Sequence, residues 1–206
     1  MGDMSRAALR HDLTALLMES ADKFKELDLE RFLEAAAHDL SRVRPLSLLG
    51  ELVLVADQWL YAAPADLIRP LASYWGLDAL KNRKPWEELW PGRLPSLGMV
   101  THGGVRKLTL TPAPTGAQIL KLSSAYSYRY SARYAIGIQA ADTTVPEESR
   151  ELLLTRATAA ALQALANQGV TKPVMLGKAA MGGMPKNGSP AALAQDLLDL
   201  FERMAA

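Results

Sequence analysis

Two segments near the amino terminus have hydrophobic residues at helical spacing. In the first, roughly residues 5–20, four leucines share one face: Leu9, Leu13, Leu16 and Leu17. In the second, residues 28–45, the apolar residues form one stripe when each residue advances by about 100° around a helix axis. We expect the second helix to begin at Asp28, whose side chain can cap N–H groups, and to end before Pro45. The pattern predicts a pair of amphipathic helices.

The following run, residues 46–61, is almost wholly apolar and fits either a buried helix or a strand. Its length favours a helix, whereas its valines favour a strand. Pro64 then suits the first turn of a new helix, because it lacks an N–H group. The charge of Asp66 would meet the unpaired N–H groups and the dipole of that helix. We therefore interpret Asp66 as an architectural, helix-start residue rather than a catalytic acid, followed by a short helix or turn that Pro70 interrupts.

The middle of the chain differs in composition from the helical segments before it. Residues 81–104 contain three prolines, four glycines and two tryptophans, which predicts an ordered but irregular excursion. Residues 105–111 then alternate apolar and polar side chains, and residues 119–139 return with the same period of two after a turn. Three tyrosines of the returning segment share a face: Tyr126, Tyr128 and Tyr130. A β-rich module of about three strands is predicted, packed on a helix or on another copy.

A long helix is predicted after the sequence TTVP, with three acidic residues in its first turns and Gly169 just past its end. Leucines and alanines cover nearly its whole circumference, so we expect neighbours on several sides. Residues 171–188 are rich in glycine and predict a flexible linker. In the terminal helix, Ser189 is the expected cap and Pro190 the first residue. Its apolar stripe should dock either on the protein's own core or on a partner.

These elements predict an α+β protein, mainly a helical bundle with an inserted β-rich module and a tethered C-terminal helix. Its 206 residues suffice for one core with an extension, or for two small domains. The expected divisions are an N-terminal helical part, the β-rich module, the Ala-rich helix that completes the bundle, and the linker with the last helix: residues 1–80, 81–142, 143–170 and 171–206.

The amino-acid composition excludes several kinds of functional site. The chain has no cysteine, which excludes disulfides, thiolate metal sites and a cysteine nucleophile and favours a reducing compartment such as the cytoplasm. The hydrophobic fraction of 49% and the charged fraction of 22% indicate a folded protein rather than a disordered one. No apolar run approaches the roughly 20 residues of a membrane span, and the N-terminus lacks the apolar core of a signal peptide. We therefore expect no membrane partner.

The net charge of +1 is unevenly distributed. Residues 1–80 hold 8 Lys/Arg against 13 Asp/Glu, whereas residues 81–150 hold 10 against 5. A basic segment of this kind can face nucleic acid or an acidic neighbour. The acidic surplus upstream can also simply pair with it. The tyrosines, together with Arg129 and Arg133, could stack single-stranded nucleic acid, but ordinary packing of aromatic side chains on a sheet face is the favoured explanation.

Two candidate catalytic patterns are weak. Two His–Asp pairs, His11–Asp12 and His38–Asp39, follow the order found in metal-dependent phosphohydrolases. Both histidines, however, point away from the apolar stripes of their helices, whereas metal ligands converge in a shielded pocket. The segment Gly183–Ser189 looks like a phosphate-binding loop without its lysine, and a linker explains it better. We expect no catalytic residue, metal site or cofactor, and no enzymatic activity.

Four stretches, in this order, resemble the head-to-tail adaptor (connector) proteins of tailed bacteriophages. They are DLSRVRP, YAAPADLIR, LTLTPAPTGAQILKLSSAYSYRYSARY and TTVPEESRELLLTRATAAALQAL. The resemblance covers about residues 5–168. In that family a proline–aspartate step follows an apolar helix, and a proline-containing entry precedes an Ala-rich helix. The inserted β module is larger here than in the smallest adaptors.

The resemblance implies a structural virion protein that forms a ring, commonly of twelve copies, beneath the portal. Its partners would be other copies of itself, the portal protein, a tail, tail-terminator or nozzle protein, and genomic DNA that passes non-specifically through the channel. The protein would be assembled in the host cytoplasm and reside in the neck of the virion. The competing interpretation is a nucleic-acid-binding module that uses the basic segment 81–150.

The resemblance also suggests two sets of site residues. The stripe of the terminal helix would dock on the portal, through Leu193, Leu197, Leu200 and Phe201. Basic side chains of the middle segment would line the channel and face DNA: Arg106, Lys107, Lys121, Arg129 and Arg133.

Overall fold

The computed structural model describes residues 2–81, 83–88, 90–177 and 187–205. Helices account for 46% of the chain and strands for 22%. The mixture of helices and antiparallel strands is as predicted, but a mainly helical protein is not confirmed. The contacts divide the chain into two units: Met1–Pro45 with Arg133–Ala206, and Leu46–Ala132. We refer to them as the helical unit and the β unit.

The helices are α1 (Arg6–Leu17), α2 (Glu26–Val43), α3 (Leu77–Lys81), α4 (Gly116–Leu122), α5 (Arg150–Asn167) and α6 (Pro190–Ala205). The strands are β1 (Leu46–Val53), β2 (Leu60–Ala62), β3 (Leu67–Ser73), β4 (Ser96–His102), β5 (Val105–Thr111), β6 (Ala125–Ala132), β7 (Val174–Met175) and β8 (Asn187–Gly188). Short 3₁₀ turns span Met18–Lys23, Ala140–Asp142 and Glu147–Ser149.

The helical unit is organised around α5, which packs against α1, α2 and α6. Three consecutive residues of α5, Leu152, Leu153 and Leu154, are buried, as only a helix covered on several sides allows. The predicted burial of α5 is thus confirmed. Because helices of its own chain provide the cover, this burial does not require a neighbouring subunit.

The two N-terminal helices bury the predicted stripes, including all four leucines of α1. The start of α2 differs from the prediction. Lys25 is the N-cap residue, and the carboxylate of Asp28 accepts a hydrogen bond from the Lys25 N–H at 3.2 Å. Asp28 therefore stabilises the first turn from inside the helix rather than as its cap.

The β unit contains two antiparallel sheets, with strand orders β1-β6-β3 and β2-β5-β4. β1 pairs with β6 without interruption from Leu46↔Ala132 to Val53↔Ala125. The first and last residues of the unit are therefore neighbours, as expected of a domain inserted into another. β4 and β5 form a hairpin whose two turn residues, Gly103 and Gly104, have φ of 60° and 78°. Glycine adopts these angles without the strain of a Cβ atom.

The β unit begins at residue 46, whereas the sequence placed residues 46–80 in a helical part and the β module at 81–142. The apolar run 46–61, whose length indicated a helix and whose valines indicated a strand, forms β1 and β2. Partly buried and exposed residues alternate along β1, which is the pattern of a strand and not of a helix. The predicted helix after Pro64 is also wrong, because Asp66 lies in a turn that enters β3. Pro70 lies within β3, next to a break in register.

Candidate interaction surfaces

The three tyrosines of β6 lie on one face, as predicted, and that face is buried. Tyr126, Tyr128 and Tyr130 are 0%, 1% and 6% exposed, and successive ring centroids lie 6.3 and 5.7 Å apart. Desolvation by burial raises the pKa of all three phenols. The rings form the core of the β unit with Trp75, so they cannot stack nucleic acid without unfolding it.

Asp66 contacts this row of tyrosines. The Tyr130 hydroxyl donates towards both carboxylate oxygens of Asp66, each at 3.3 Å. Desolvation is the main cause of the raised pKa of Tyr130, and the negative charge of Asp66 raises this pKa further. Asp66 therefore contacts the end of the aromatic core and does not begin a helix. The proline–aspartate step precedes a strand, because β3 pairs with β6 from Leu67 onwards.

Four of the five basic candidates lie in the β unit, and two of these bind its backbone. Arg106 donates to the carbonyl of Leu67 at 2.8 Å, and Lys121 donates to the carbonyl of Glu88 at 2.9 Å. Lys107 is half-buried on β5. Arg129 is exposed on the face of β6 opposite the tyrosines. Arg133 is exposed but belongs to the helical unit. The structure therefore does not group the five into one surface.

The stripe of α6 is occupied by the protein's own core. Leu193, Leu197 and Phe201 are at most 3% exposed, and Leu200 is half-buried against the same cluster. The N-terminal cap is as predicted, since the Ala192 N–H donates to the Ser189 hydroxyl at 3.4 Å. Of the two expected docking modes, the structure has the intramolecular one. A portal contact through these four side chains would require α6 to leave the helical unit.

The two His–Asp pairs do not form a metal site. His11 and His38 are exposed, as their helical positions predicted. Their neighbouring aspartates instead bind arginines of α5: Arg150 Nη2 lies 2.5 Å from Asp12 Oδ2, and Arg156 Nη2 lies 2.6 Å from Asp39 Oδ2. Within the described residues, no cluster of three or more His, Asp or Glu side chains could hold a metal ion. Residues 183–186 of the candidate phosphate loop lie outside the described residues.

A groove of about 440 Å³ lies in the helical unit, between the 3₁₀ turn Met18–Lys23 and residues 170–175. Its polar side chains include Glu19, Lys23 and Lys172, with Met18 and Met175 contributing apolar surface. No local sequence pattern predicts this groove, because its two walls are about 150 residues apart in the chain.

The sequence also did not reveal a set of exposed apolar side chains at one end of the β unit. The chain enters and leaves the β unit at Leu46 and Ala132. The last residue of β1 and the first residue of β6 lie at the opposite end of this strand pair. Five large apolar residues at this end are 39–90% exposed. They are Val53, Val55, Tyr74, Leu77 and Leu120, and we refer to them as the distal surface. Contacts to the start of β6 place them there, including a hydrogen bond of 2.8 Å from the Leu54 N–H to the Ser124 carbonyl.

The exposure of the distal surface is greatest at Leu120, whose side chain on α4 is 90% exposed. Several exposed large apolar side chains at one end of a unit indicate a protein contact more strongly than one isolated surface leucine does. No local pattern identifies them, because exposure depends on how α4 packs against residues 91–93 and 56.

The chain matches no protein-family profile and no curated protein. Among the described residues, no helix combines the length and apolar character that crossing a membrane requires.

Proposed function

We propose that this protein is a structural head-to-tail adaptor of a tailed bacteriophage, which forms a ring between the portal and the tail and extends the DNA channel. One observation carries the proposal: a helical unit is interrupted between α2 and α5 by a β unit that presents apolar side chains at its far end. In support, the four stretches that resemble the adaptor family occur in chain order at the end of α2, in β2 and β3, from β5 to β6, and in α5.

In this proposal the distal surface is the contact with a virion partner. It lies at the end of the β unit farthest from the chain connections, so a partner can cover it without disturbing the insertion points. Burying its apolar side chains would stabilise the joint, at roughly 25 cal/mol for each Å² removed from water. The partners are neighbouring copies, the portal and the tail-side protein, and the ring is a dodecamer located in the virion neck.

The proposed role of α6 changes accordingly. Because its stripe belongs to the core, its outer face, rather than Leu193, Leu197 and Phe201, is the part that can reach a portal. The basic side chains contribute weak, non-specific contacts with DNA, for which the exposed Arg129 and Arg133 are the best placed.

The first experiment is the solution mass of the purified protein, alone and mixed with its cognate portal. We expect a ring, or a stoichiometric complex with the portal. The substitution Leu120→Lys, at the most exposed large apolar side chain that the structure describes in the β unit, should weaken the contact to the portal or to the tail-side protein. The matched control is Leu27→Lys on the helical unit, where Leu27 is 57% exposed. A protein that binds neither the portal nor the tail-side protein contradicts the proposal.

A nucleic-acid-binding module is the second candidate, since the β unit holds 9 Lys/Arg against 6 Asp/Glu. Because the tyrosines are buried, only charged side chains are available to bind nucleic acid. It predicts binding of DNA by the isolated protein that weakens steeply as salt rises, and that Arg129→Ala weakens further. Absence of binding at low salt removes this candidate.

A further inference from the structure

The sheet β1-β6-β3 has two edges of unequal character. The β3 edge has features that hinder pairing with a further strand: Pro70, two shifts of register and the exposed Arg69. The β1 edge carries none of them. Its eight residues pair with β6 in continuous register, contain no proline and no basic residue, and include one charge, Glu51.

The register of β1 identifies which of its backbone groups face the open edge. The hydrogen bond from the Leu54 N–H to the Ser124 carbonyl continues the β1–β6 register. In an antiparallel pair, every second residue bonds to the partner strand. The even-numbered residues of β1 therefore bond to β6, and the N–H and C=O groups of the odd-numbered residues point away from it. On the other side of β6, the Tyr74 N–H donates to the Ser127 carbonyl, as this alternation requires.

The outward-directed backbone groups belong to Ser47, Leu49, Glu51 and Val53. The side chains of the same four residues lie on the exposed face of the sheet, where Leu49 is 71% and Val53 74% exposed. Within the described residues, β1 pairs with no strand other than β6, and no turn or loop backbone bond involves these four residues. β1 thus offers a row of donors and acceptors beside exposed apolar side chains, which is what an added strand requires.

Of three central registers of β1 paired with itself, centred on residues 49, 50 and 51, one is self-complementary. Two antiparallel copies of β1 must set odd-numbered residues opposite odd-numbered residues to use the outward groups. Centring the pair on Glu51 places like charges opposite each other, and centring it on Gly50 places Glu51 against Leu49. Centring it on Leu49 places Leu49 against Leu49 and Ser47 against Glu51. On the other face, this register places Leu46 opposite Leu52.

We infer that two copies of this chain dimerise through antiparallel β1–β1 pairing centred on Leu49, which joins their three-stranded sheets into one. The contact is isologous, whereas a cyclic ring uses two different surfaces of each subunit. It therefore belongs to the unassembled protein. It is centred on Leu49, away from the distal surface, with which β1 shares only its last residue, Val53.

Single-cysteine variants test both the pairing and its register, because the chain has no native cysteine. In the proposed dimer the two copies of residue 49 form a hydrogen-bonded pair, whose Cα atoms are about 5.5 Å apart. That distance is within the range of a disulfide. We expect Leu49→Cys to form a disulfide-linked dimer under mild oxidation. The control Ser47→Cys lies on the same exposed face of β1 and outside the distal surface. Its two copies would be about 13 Å apart along the paired strands, too far for a disulfide.

Sedimentation over a range of concentrations supplies the second measurement. The wild-type protein should dimerise, and Leu49→Lys should weaken dimerisation by about tenfold or more, because a charge replaces the central apolar pair. Leu71→Lys, at an exposed residue of the blunted β3 edge, should leave dimerisation unchanged. Thermal unfolding checks that both variants remain folded.

Three results overturn the inference. They are a wild-type protein that stays monomeric at every concentration, a dimer that survives Leu49→Lys, and equal cross-linking of Leu49→Cys and Ser47→Cys. A monomer whose β1 edge instead binds a strand of another protein also counts against it. None of these results bears on whether the protein binds a portal, so failure here is distinguishable from failure of the proposed function.

Discussion

Gly50 and Tyr128 lie opposite each other in β1 and β6, and the phenol ring of Tyr128 covers the glycine. A Cβ atom built on Gly50 would stand 2.5 Å from Cζ and 2.6 Å from the hydroxyl of Tyr128. The ring has little room to move, because Tyr126 and Tyr130 flank it and it is 1% exposed. The glycine is thus needed for the aromatic core to close over β1.

We expect Gly50→Ala to destabilise the β unit by about 1–3 kcal/mol, the usual cost of overpacking a core. Chemical denaturation followed by tyrosine and tryptophan fluorescence measures the change. Gly116→Ala is the matched control: its new Cβ would meet Ala56 at 3.7 Å, an ordinary contact, and alanine suits the helix α4. Equal losses in the two variants would contradict the role assigned to Tyr128.

Asp39 and Arg156 should couple α2 to α5. Their charged groups are 2.6–2.7 Å apart, and both side chains are at most 25% exposed. A double-mutant cycle with Asp39→Ala and Arg156→Ala should give a coupling free energy of about 1–2 kcal/mol. The control pair, Asp28 and Arg31, is 3.5 Å apart with side chains 38% and 67% exposed, and should couple by about 0.5 kcal/mol or less. Similar values for both cycles would contradict this prediction.

Phe201 should contribute to the stability of the helical unit. It is 1% exposed on the face of α6 that packs against the core. We expect Phe201→Ala to lower the free energy of unfolding by about 3–5 kcal/mol. The neighbouring substitution Glu202→Ala, at an exposed position, should change it by about 0.5 kcal/mol or less. Deleting α6 should likewise unfold or destabilise the subunit. A fully stable protein without α6 would show that its packing is dispensable.

Stability should fall at alkaline pH. The pKa values of Tyr126, Tyr128 and Tyr130 are raised above 10.0 in the folded protein, chiefly by desolvation. In the unfolded chain these phenols lose their protons near pH 10. The folded state therefore retains protons that the unfolded state has lost, and stability decreases as pH rises above about 10. Urea denaturation at a series of pH values measures this slope, and Tyr128→Phe should make it shallower. An unchanged slope in that variant would argue against a shifted pKa.

The helices of this protein could be predicted because their signals are local. The stripes of α1, α2 and α6 repeat every three or four residues, and the caps of α6 lie next to the helix that they begin. α4 had a local signal that was missed. Thr115 and Gln118 form a capping box, and the Gln118 side chain also donates to the carbonyls of Pro91 and Arg93. Its seven residues were predicted as a turn and the start of a strand.

The first three strands could not be predicted in the same way. Nothing within residues 46–61 distinguishes a strand from a helix, since the partner of β1 begins about 70 residues later in the chain. Pro70 is tolerated in β3 because this strand is an edge with breaks in its register, which the sequence does not reveal. The exposed surfaces could not be predicted from local sequence either. The exposure of Leu120 and the burial of Phe201 depend on which elements pack beside them.

The sequence by itself determined the four long helices, the shared face of the tyrosines and the presence of β strands between α2 and α5, because periodic patterns act over a few residues. Tertiary structure decided where the β unit begins, that Asp66 meets Tyr130 rather than a helix, that the stripe of α6 is internal, and which edge of the sheet stays open. Each of these depends on pairing between segments distant in the chain, where the gain from burying a shared face outweighs local propensity.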